Sequence, residues 1–297
     1  MPHCVICSVN NTRGILLVGG NGSRLFPLTA TVSKQLLPVY DKPMVYYPFN
    51  TLMLAGIRDV LVIATPKDLP LFRQLLGDGS HLGMSLSYAS QAQPNGIAQA
   101  LIIADDTWGA SRTALILGDN LFHGEGNLFR HVAQEASTAT IFGYTVHNPS
   151  RYGVVELDSD NSIISIEEKP TNPRSALAIP GLYFYDERAA SFARELRPST
   201  RGELEITDVH RAYFDVNQLQ VVRMDRGITW LDTGTPDSLL EAINFIHAIE
   251  RRQGMKVACI EETALALGYI TADEYDRTVH LLPDSAYRNY CLSVLER

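Results

Sequence analysis

Short, unbroken apolar runs alternate along this chain with stretches that read as helices. Residues 15–18, Ile-Leu-Leu-Val, fit a strand buried on both faces, the pattern expected where helices cover a parallel sheet from above and below. Residues 59–64 and 113–117 repeat that texture, and 84–89 supply a further strand. Between them, 42–56, 69–76 and the stretch after Gly96 read as helices, the first closed by a capping Gly56. Strands and helices alternating at this spacing imply βαβ units, hence an α/β fold with a mostly parallel central sheet flanked by helices. Ligands of such sheets gather at the carboxyl ends of the strands. Glycines 19–22, Gln91 and Gly118-Asp119-Asn120 are therefore expected to converge on one crevice.

Beyond Gly143 the texture changes. Residues 152–157, 162–166 and 179–185 are strand-like, and Asp158-Ser-Asp-Asn161 fits a hairpin connection. These strands are expected to extend the sheet and fold over one side of the crevice. A helix over 205–216 follows, then short strands at 220–224 and 229–231. The next helix is strongly signalled: Thr235 can cap it, Pro236 suits its first turn, and Leu239, Ile243, Ile246 and Ile249 recur at helical spacing up to Gly254. Residues 261–267 and 284–295 predict a small C-terminal helical appendix. No internal repeat or linker interrupts the chain.

The most informative stretch follows the first strand. Gly19, Gly20 and Gly22 let the backbone turn sharply and bring its N–H groups close to an anion, and Arg24 and Lys34 add two cations. A polyphosphate suits that pocket. The glycines alone are ambiguous: Leu25 stands where a dinucleotide fingerprint needs its third glycine, and no Gly-Lys-Ser/Thr follows as in a P-loop. The longer run decides more. Leu17-Val18-Gly19-Gly20-x-Gly22-Ser23-Arg24-Leu25-x-Pro27-x-Thr29, followed by Ser33-Lys34-Gln35-Leu36-Leu37-Pro38-Val39, resembles the signature of the sugar-1-phosphate nucleotidyltransferases. Tyr40-Asp41-Lys42-Pro43-Met44 is closest to the branch acting on glucose 1-phosphate and dTTP. The resemblance covers residues 13–255.

The resemblance implies a Rossmann-like nucleotidyltransferase unit over 1–255. Its nucleotide-binding part would span about 12–143 and its sugar-binding β extension about 144–255, with the appendix at 256–297. It also implies residue roles. Gly19, Gly20, Gly22, Ser23, Arg24, Lys34, Gln35 and Asp119 would bind the nucleotide, and Gln91 and Gly96 would read its base. Tyr152, Gly153, Glu168, Lys169 and Ile179 would bind the sugar phosphate. Arg24, Lys34 and Lys169 would act catalytically, and Asp119 and Asp232 would hold Mg²⁺. Each assignment has a plain alternative, because an Asp after a buried strand is often a turn or helix cap and Glu167-Glu168-Lys169-Pro170 is also a charged turn. The chemistry nonetheless agrees: Mg²⁺ takes few carboxylates beside water and phosphate oxygens, a lysine meets phosphate as a point charge, and a carboxylate accepts from sugar hydroxyls. Val18, Leu177 and Ile97 depart from the family pattern and bear on substrate preference.

Composition narrows the field. The 297 residues are 45% hydrophobic and 20% charged, enough for a sizeable core. A net charge of −8 argues against non-specific nucleic-acid binding, so an anionic substrate needs a local basic cleft. No apolar run reaches the length of a membrane span, and a soluble cytoplasmic enzyme is expected. Four cysteines, Cys4 and Cys7 in a C-x-x-C and Cys259 and Cys291 alone, predict free thiols, and the eight histidines show no metal-ligand spacing. The implied reaction joins dTTP and glucose 1-phosphate into dTDP-glucose and pyrophosphate, with a homotetramer and feedback by a dTDP-deoxysugar further implications. UTP or another hexose phosphate as substrate, or a sensor without turnover, are the alternatives.

Overall fold

The run Ile15–Val18 feeds two cores at once. In the computed structural model, which describes residues 12–20, 22–124 and 127–296, Ile15 and Leu17 pack into one apolar cluster. Leu16 and Val18 pack into another on the opposite face. Leu61 and Ile63 separate from Val60 and Val62 in the same way. An unbroken apolar strand is what a sheet covered on both sides demands, since successive side chains point to opposite faces.

The elements follow in chain order. Strand β1 (Arg13–Leu17) leads through two short 3₁₀ turns to a small ladder, β2 (Pro38–Val39) and β3 (Lys42–Pro43), then α1 (Tyr46–Leu54), β4 (Asp59–Ala64) and α2 (Leu69–Leu76). Next come β5 (Ser85–Ser90), α3 (Gln99–Trp108), β6 (Thr113–Leu117), β7 (Asn120–His123), α4 (Asn127–Glu135) and β8 (Ala139–Thr145). The middle holds β9 (Gly153–Leu157), β10 (Ile163–Glu168), β11 (Leu177–Ala178), β12 (Leu182–Tyr185), α5 (Ala189–Glu195), α6 (Ile206–Asp215), β13 (Leu219–Arg223) and β14 (Thr229–Asp232). Four helices close the chain: α7 (Pro236–Gln253), α8 (Ile260–Ala266), α9 (Ala272–His280) and α10 (Ala286–Val294).

A ten-stranded sheet runs in the order β10-β9-β11-β8-β12-β6-β1-β4-β5, with β13 beside β8. Strands β4, β5 and β6 pair in parallel with their neighbours around β1, and β8 with β13, so most of the paired residues run parallel as the sequence texture predicts, while β9 to β12 pair antiparallel. Strand β12 corrects one expectation. The strand-like stretch 179–185 does not simply extend the sheet; its second half inserts antiparallel between β6 and β8 in the middle. All four β12 side chains are buried, which a central position requires. The predicted helix over 42–56 begins only at Tyr46, because Lys42 and Pro43 are taken up in the β2–β3 ladder. Strand β7, helices α4, α5 and α9 and strand β8 were not foreseen.

Beneath α7 lies a third, smaller core containing Leu25, Val39, Met44, Leu121, Leu239 and Ile246. It anchors the glycine loop, the β2–β3 ladder and β7 to one helix. Helix α7 is built as predicted: Thr235 accepts from the Ser238 N–H at 3.3 Å, Pro236 opens the first turn, and Gly254 ends the helix at φ 67°. The C-terminal helices pack on α1 through α8, with Cys259, Ile260, Tyr275 and Cys291 joining the core that holds Leu16 and Val18. No described helix is long and apolar enough to cross a membrane. The Cys4 and Cys7 pair lies outside the described residues.

Candidate active site

Two clefts meet at Lys34. The first, of about 260 Å³, opens at the carboxyl ends of β1 and β6, as expected for this type of sheet. Gly19, Arg24 and Lys34 form one wall; Tyr152, Gly153, Glu168, Lys169 and Ile179 form the other. The second, of about 570 Å³, is lined by Gly20, Thr65, Asp68 and Gln91 through Pro94.

Asp119 and Asp232 are 113 positions apart in sequence yet line the same cleft. The device that unites them is the antiparallel ladder of β14 on β7, in which Asp232 faces Asn120. Asn120 then secures the junction. Its Oδ1 accepts from Gly181 N at 3.0 Å and from Trp230 Nε1 at 2.7 Å, while its Nδ2 donates to Asp119 Oδ1 at 3.0 Å. Thr233 adds a hydroxyl bond of 2.9 Å to the Asp119 carbonyl.

Each aspartate already faces a cation. Asp119 Oδ2 pairs with Lys34 Nζ, and Asp232 Oδ2 with Arg151 Nη2 at 3.0 Å. Burial works to raise the Asp119 pKa, but the Lys34 ammonium and the Asn120 amide outweigh it and hold the carboxyl below its ordinary value. Arg24 lies against the turn after β14: a Cβ at Gly234 would stand only 2.9 Å from its Nη2, so glycine there leaves the guanidinium room. Burial and the neighbouring Asp232 push the Tyr152 phenol up to about 12, keeping it a neutral donor. Two aspartates from separate segments suit a hard divalent cation that completes its shell with phosphate oxygens and water.

On the far wall Glu168 is held from three sides. Its carboxylate accepts from the Thr207 hydroxyl, from Arg201 Nη2 at 3.2 Å, and lies 3.2 Å from Lys169 Nζ. Lys169 sits at φ 43°, a left-handed conformation that turns the chain at the end of β10. His210, fully buried beside this wall, bonds Tyr185 Oη at 2.7 Å, and burial alone lowers its pKa to about 3. It is a neutral packing residue.

The chain matches the nucleotidyl transferase family model over residues 13–249. It is 52% identical over 288 residues to the glucose-1-phosphate thymidylyltransferase of Mycobacterium tuberculosis strain H37Rv, covering 96% of this chain and 99% of that one. The corresponding protein of Mycolicibacterium smegmatis is 53% identical over 290 residues, with the same coverage. The chain belongs to the nucleotidyl transferase family, among the glucose-1-phosphate thymidylyltransferases. A Bacillus anthracis protein assigned to the same group and solved with sucrose superposes with a TM-score of 0.73 at 37% identity, over 79% of this chain and 94% of that one. A UDP-glucose pyrophosphorylase complexed with UDP-glucose, at 22% identity and a TM-score of 0.70 over 80% of this chain and 99% of that one, shares the fold.

Within this family scaffold the sequence-predicted residues divide into groups. Gly19, Arg24, Lys34, Gln35, Asp119, Tyr152, Gly153, Glu168, Lys169, Ile179 and Asp232 share the first cleft, while Gly20 and Gln91 face the second. Gly22, Ser23 and Gly96 line neither. Gly22 caps the 3₁₀ turn Ser23–Leu25 at φ 56°, and Gly96 at φ 104° packs so tightly that a Cβ would meet the Leu204 carbonyl at 2.3 Å. Gln35, 1% exposed, donates to the Gly19 carbonyl at 3.2 Å and so shapes the loop from below. The Gln91 amino group is already used, donating to Gly96 O at 3.0 Å and Gln99 Oε1 at 2.8 Å, which leaves its Oε1 as the open function. Of the departures from the family pattern, Val18 and Leu177 are core residues and Ile97 lines the first cleft.

Three further site residues escaped the sequence reading. Arg151 directly precedes the recognised Tyr152-Gly153, Thr207 opens α6, and Arg201 sits in the loop between α5 and α6. Only the adjacency of Arg151 offered a signal. The partners of the others lie 39 and 33 residues away.

Proposed function

We propose that this chain transfers a thymidylyl group from dTTP to α-D-glucose 1-phosphate, giving dTDP-glucose and pyrophosphate, with Mg²⁺ as the cation held by Asp119 and Asp232. One observation carries the reading: two carboxylates from distant segments, each balanced by a cation, stand in one cleft across from Glu168 and Lys169. The family and its close relatives support the same chemistry.

Glucose 1-phosphate is a phosphate monoester, whose second pKa is about 6, so near neutral pH its oxygen attacks the α-phosphorus without a general base. The bond from that phosphorus to pyrophosphate breaks as the new bond forms. What the chain must supply is alignment and cancellation of charge between two anions. Lys169 holds the sugar phosphate, and the Glu168 carboxylate accepts from sugar hydroxyls in place of Thr207 or Arg201. Lys34 and Arg24 face the nucleotide phosphates, and the N–H groups of the glycine loop follow the same charge. A divalent ion, when bound at the aspartates, adds further neutralisation of the phosphate oxygens. The Gln91 Oε1, with its amino group engaged, accepts the N3–H that thymine presents and cytosine lacks.

That acceptor would serve uracil equally, so UTP is a specific second reading. Pyrophosphate release measured across dTTP, UTP, CTP and ATP, each with several hexose 1-phosphates, tests both. The proposal expects the highest turnover with dTTP and glucose 1-phosphate, UTP second and CTP far behind. Binding of these compounds without pyrophosphate release would overturn it.

A further inference from the structure

Away from the cleft, the C-terminal helices bring together two thiols that the sequence places 32 positions apart. Cys259 caps α8, Glu261 lies in the first turn of that helix, and Cys291 lies in α10. The two Sγ atoms are 3.7 Å apart, and Cys259 Sγ is 3.8 Å from Glu261 Oε2. The three donor atoms fall within 4.8 Å of one another, and all three residues are buried. Reading these cysteines as solitary is thus corrected by the packing of α10 on α8.

Glu261 is the second observation. It is 3% exposed, and its carboxylate accepts from the Tyr287 hydroxyl and the Cys259 thiol, both neutral donors. The neighbouring Lys256 is engaged with Asp41 and Glu250 instead. A buried carboxylate with no charged partner among the described residues is costly, and this one faces two sulfurs.

We propose that Cys259, Glu261 and Cys291 bind one thiophilic divalent cation of the zinc class. A tetrahedral ion about 2.3 Å from two thiolates sets them about 3.8 Å apart, and sets a thiolate about 3.5 Å from a carboxylate oxygen. The Sγ–Sγ distance of 3.7 Å and the 3.8 Å from Cys259 Sγ to Glu261 Oε2 agree with these to within a few tenths of an ångström, and the third pair lies within 4.8 Å. Charge balances as well: the entering dication displaces one proton from each thiol, both released to solvent, so the cluster keeps its single negative charge. Tyr287 Oη, 3.4 Å from Cys259 Sγ, offers an oxygen as a fourth donor. Two sulfur donors select against hard ions such as Mg²⁺, so this site and the aspartate pair take different metals. Because the Tyr275 hydroxyl bonds the Cys291 carbonyl at 2.8 Å, an ion here fastens α8, α9 and α10 together.

The test uses the full chain with Cys4→Ser and Cys7→Ser, so that Cys259 and Cys291 are the remaining thiols. After chelation and dialysis with a reductant, it is titrated with Cd²⁺ or Zn²⁺ in excess Mg²⁺. The proposal expects one equivalent bound, a thiolate-to-cadmium charge-transfer band, and a melting temperature raised by about 5 °C at a hundredfold excess over Kd. Cys291→Ser should abolish both the band and the thermal shift. Glu261→Gln should keep the band and weaken binding by about tenfold to a hundredfold. A missing band with both thiols free, or a band undiminished in Cys291→Ser, overturns the site. Loss of two hydrogen masses without metal uptake identifies a disulfide and also overturns it.

Discussion

Two clusters of charge in this molecule use the same residue types for opposite ends. In the cleft, Lys34 faces Asp119 and Arg151 faces Asp232, each pair partly open to solvent and bordering space a ligand can enter. Behind it, Lys42 lies 2.8 Å from Glu250 and also pairs with Asp41, which Lys256 joins from the other side. Lys42 and Glu250 are 4% and 7% exposed, and Val257 N adds a 2.9 Å bond to the Glu250 carboxylate. None of these four charged residues lines either cleft. This second cluster fixes the end of α7 to the β2–β3 ladder, whereas the first can exchange partners when phosphates arrive. The distinction rests on access to the charges rather than on their identity.

The largest test of that contrast is Lys42→Met. Removing Lys42 leaves the buried Glu250 with only Lys256, 3.5 Å away, and the Val257 N–H, and a loss of about 3 kcal/mol of stability is expected in denaturant titration. Turnover per folded molecule should persist; a variant that keeps full stability would erase the difference between the clusters. Acid should loosen the same network. Burial opposes the charge on Asp41, but Lys42 and Lys256 hold its pKa below 3.8, so its contribution is complete above that value and is lost as pH falls through the lower folded one.

Asp119→Asn and Asp232→Asn probe the cleft in the reverse sense. Each should lower kcat about a hundredfold, near 3 kcal/mol of transition-state stabilisation, while the melting temperature stays close to that of the parent. Full activity in excess chelator would contradict a cation at these residues. Lys169→Ala should raise KM for glucose 1-phosphate about tenfold and leave KM for dTTP nearly unchanged; the opposite split in steady-state kinetics would reject its role. The smallest effect belongs to Gln91→Ala, which should narrow the preference for dTTP over CTP by several-fold in competition assays.

How much of this could be read from the chain follows from the range of each interaction. Strands β1, β4 and β6 were legible because burial on both faces leaves an unbroken apolar run. Strand β7, only four residues long, was hidden because its partner β14 lies more than a hundred positions downstream. Strand β12 was legible as a strand but not as a central one, since a fully buried segment looks the same at either place. Within the cleft, residues set in dense glycine or charge motifs stood out, whereas Arg151 and Thr207, and Arg201, which does not line the cleft, acquire their significance only from Asp232 and Glu168. At Gly22 and Gly96 the glycine serves the turn and the packing rather than direct cleft lining.

The pairing of β14 with β7 also orders events in time. All ten strands of the main sheet lie before residue 224, but Asp232 comes after it. A nascent chain leaving the ribosome could therefore build its entire platform while one of the two cleft aspartates was still untranslated. Competence would arrive late and abruptly, when a four-residue strand docks on another and α7 closes behind it.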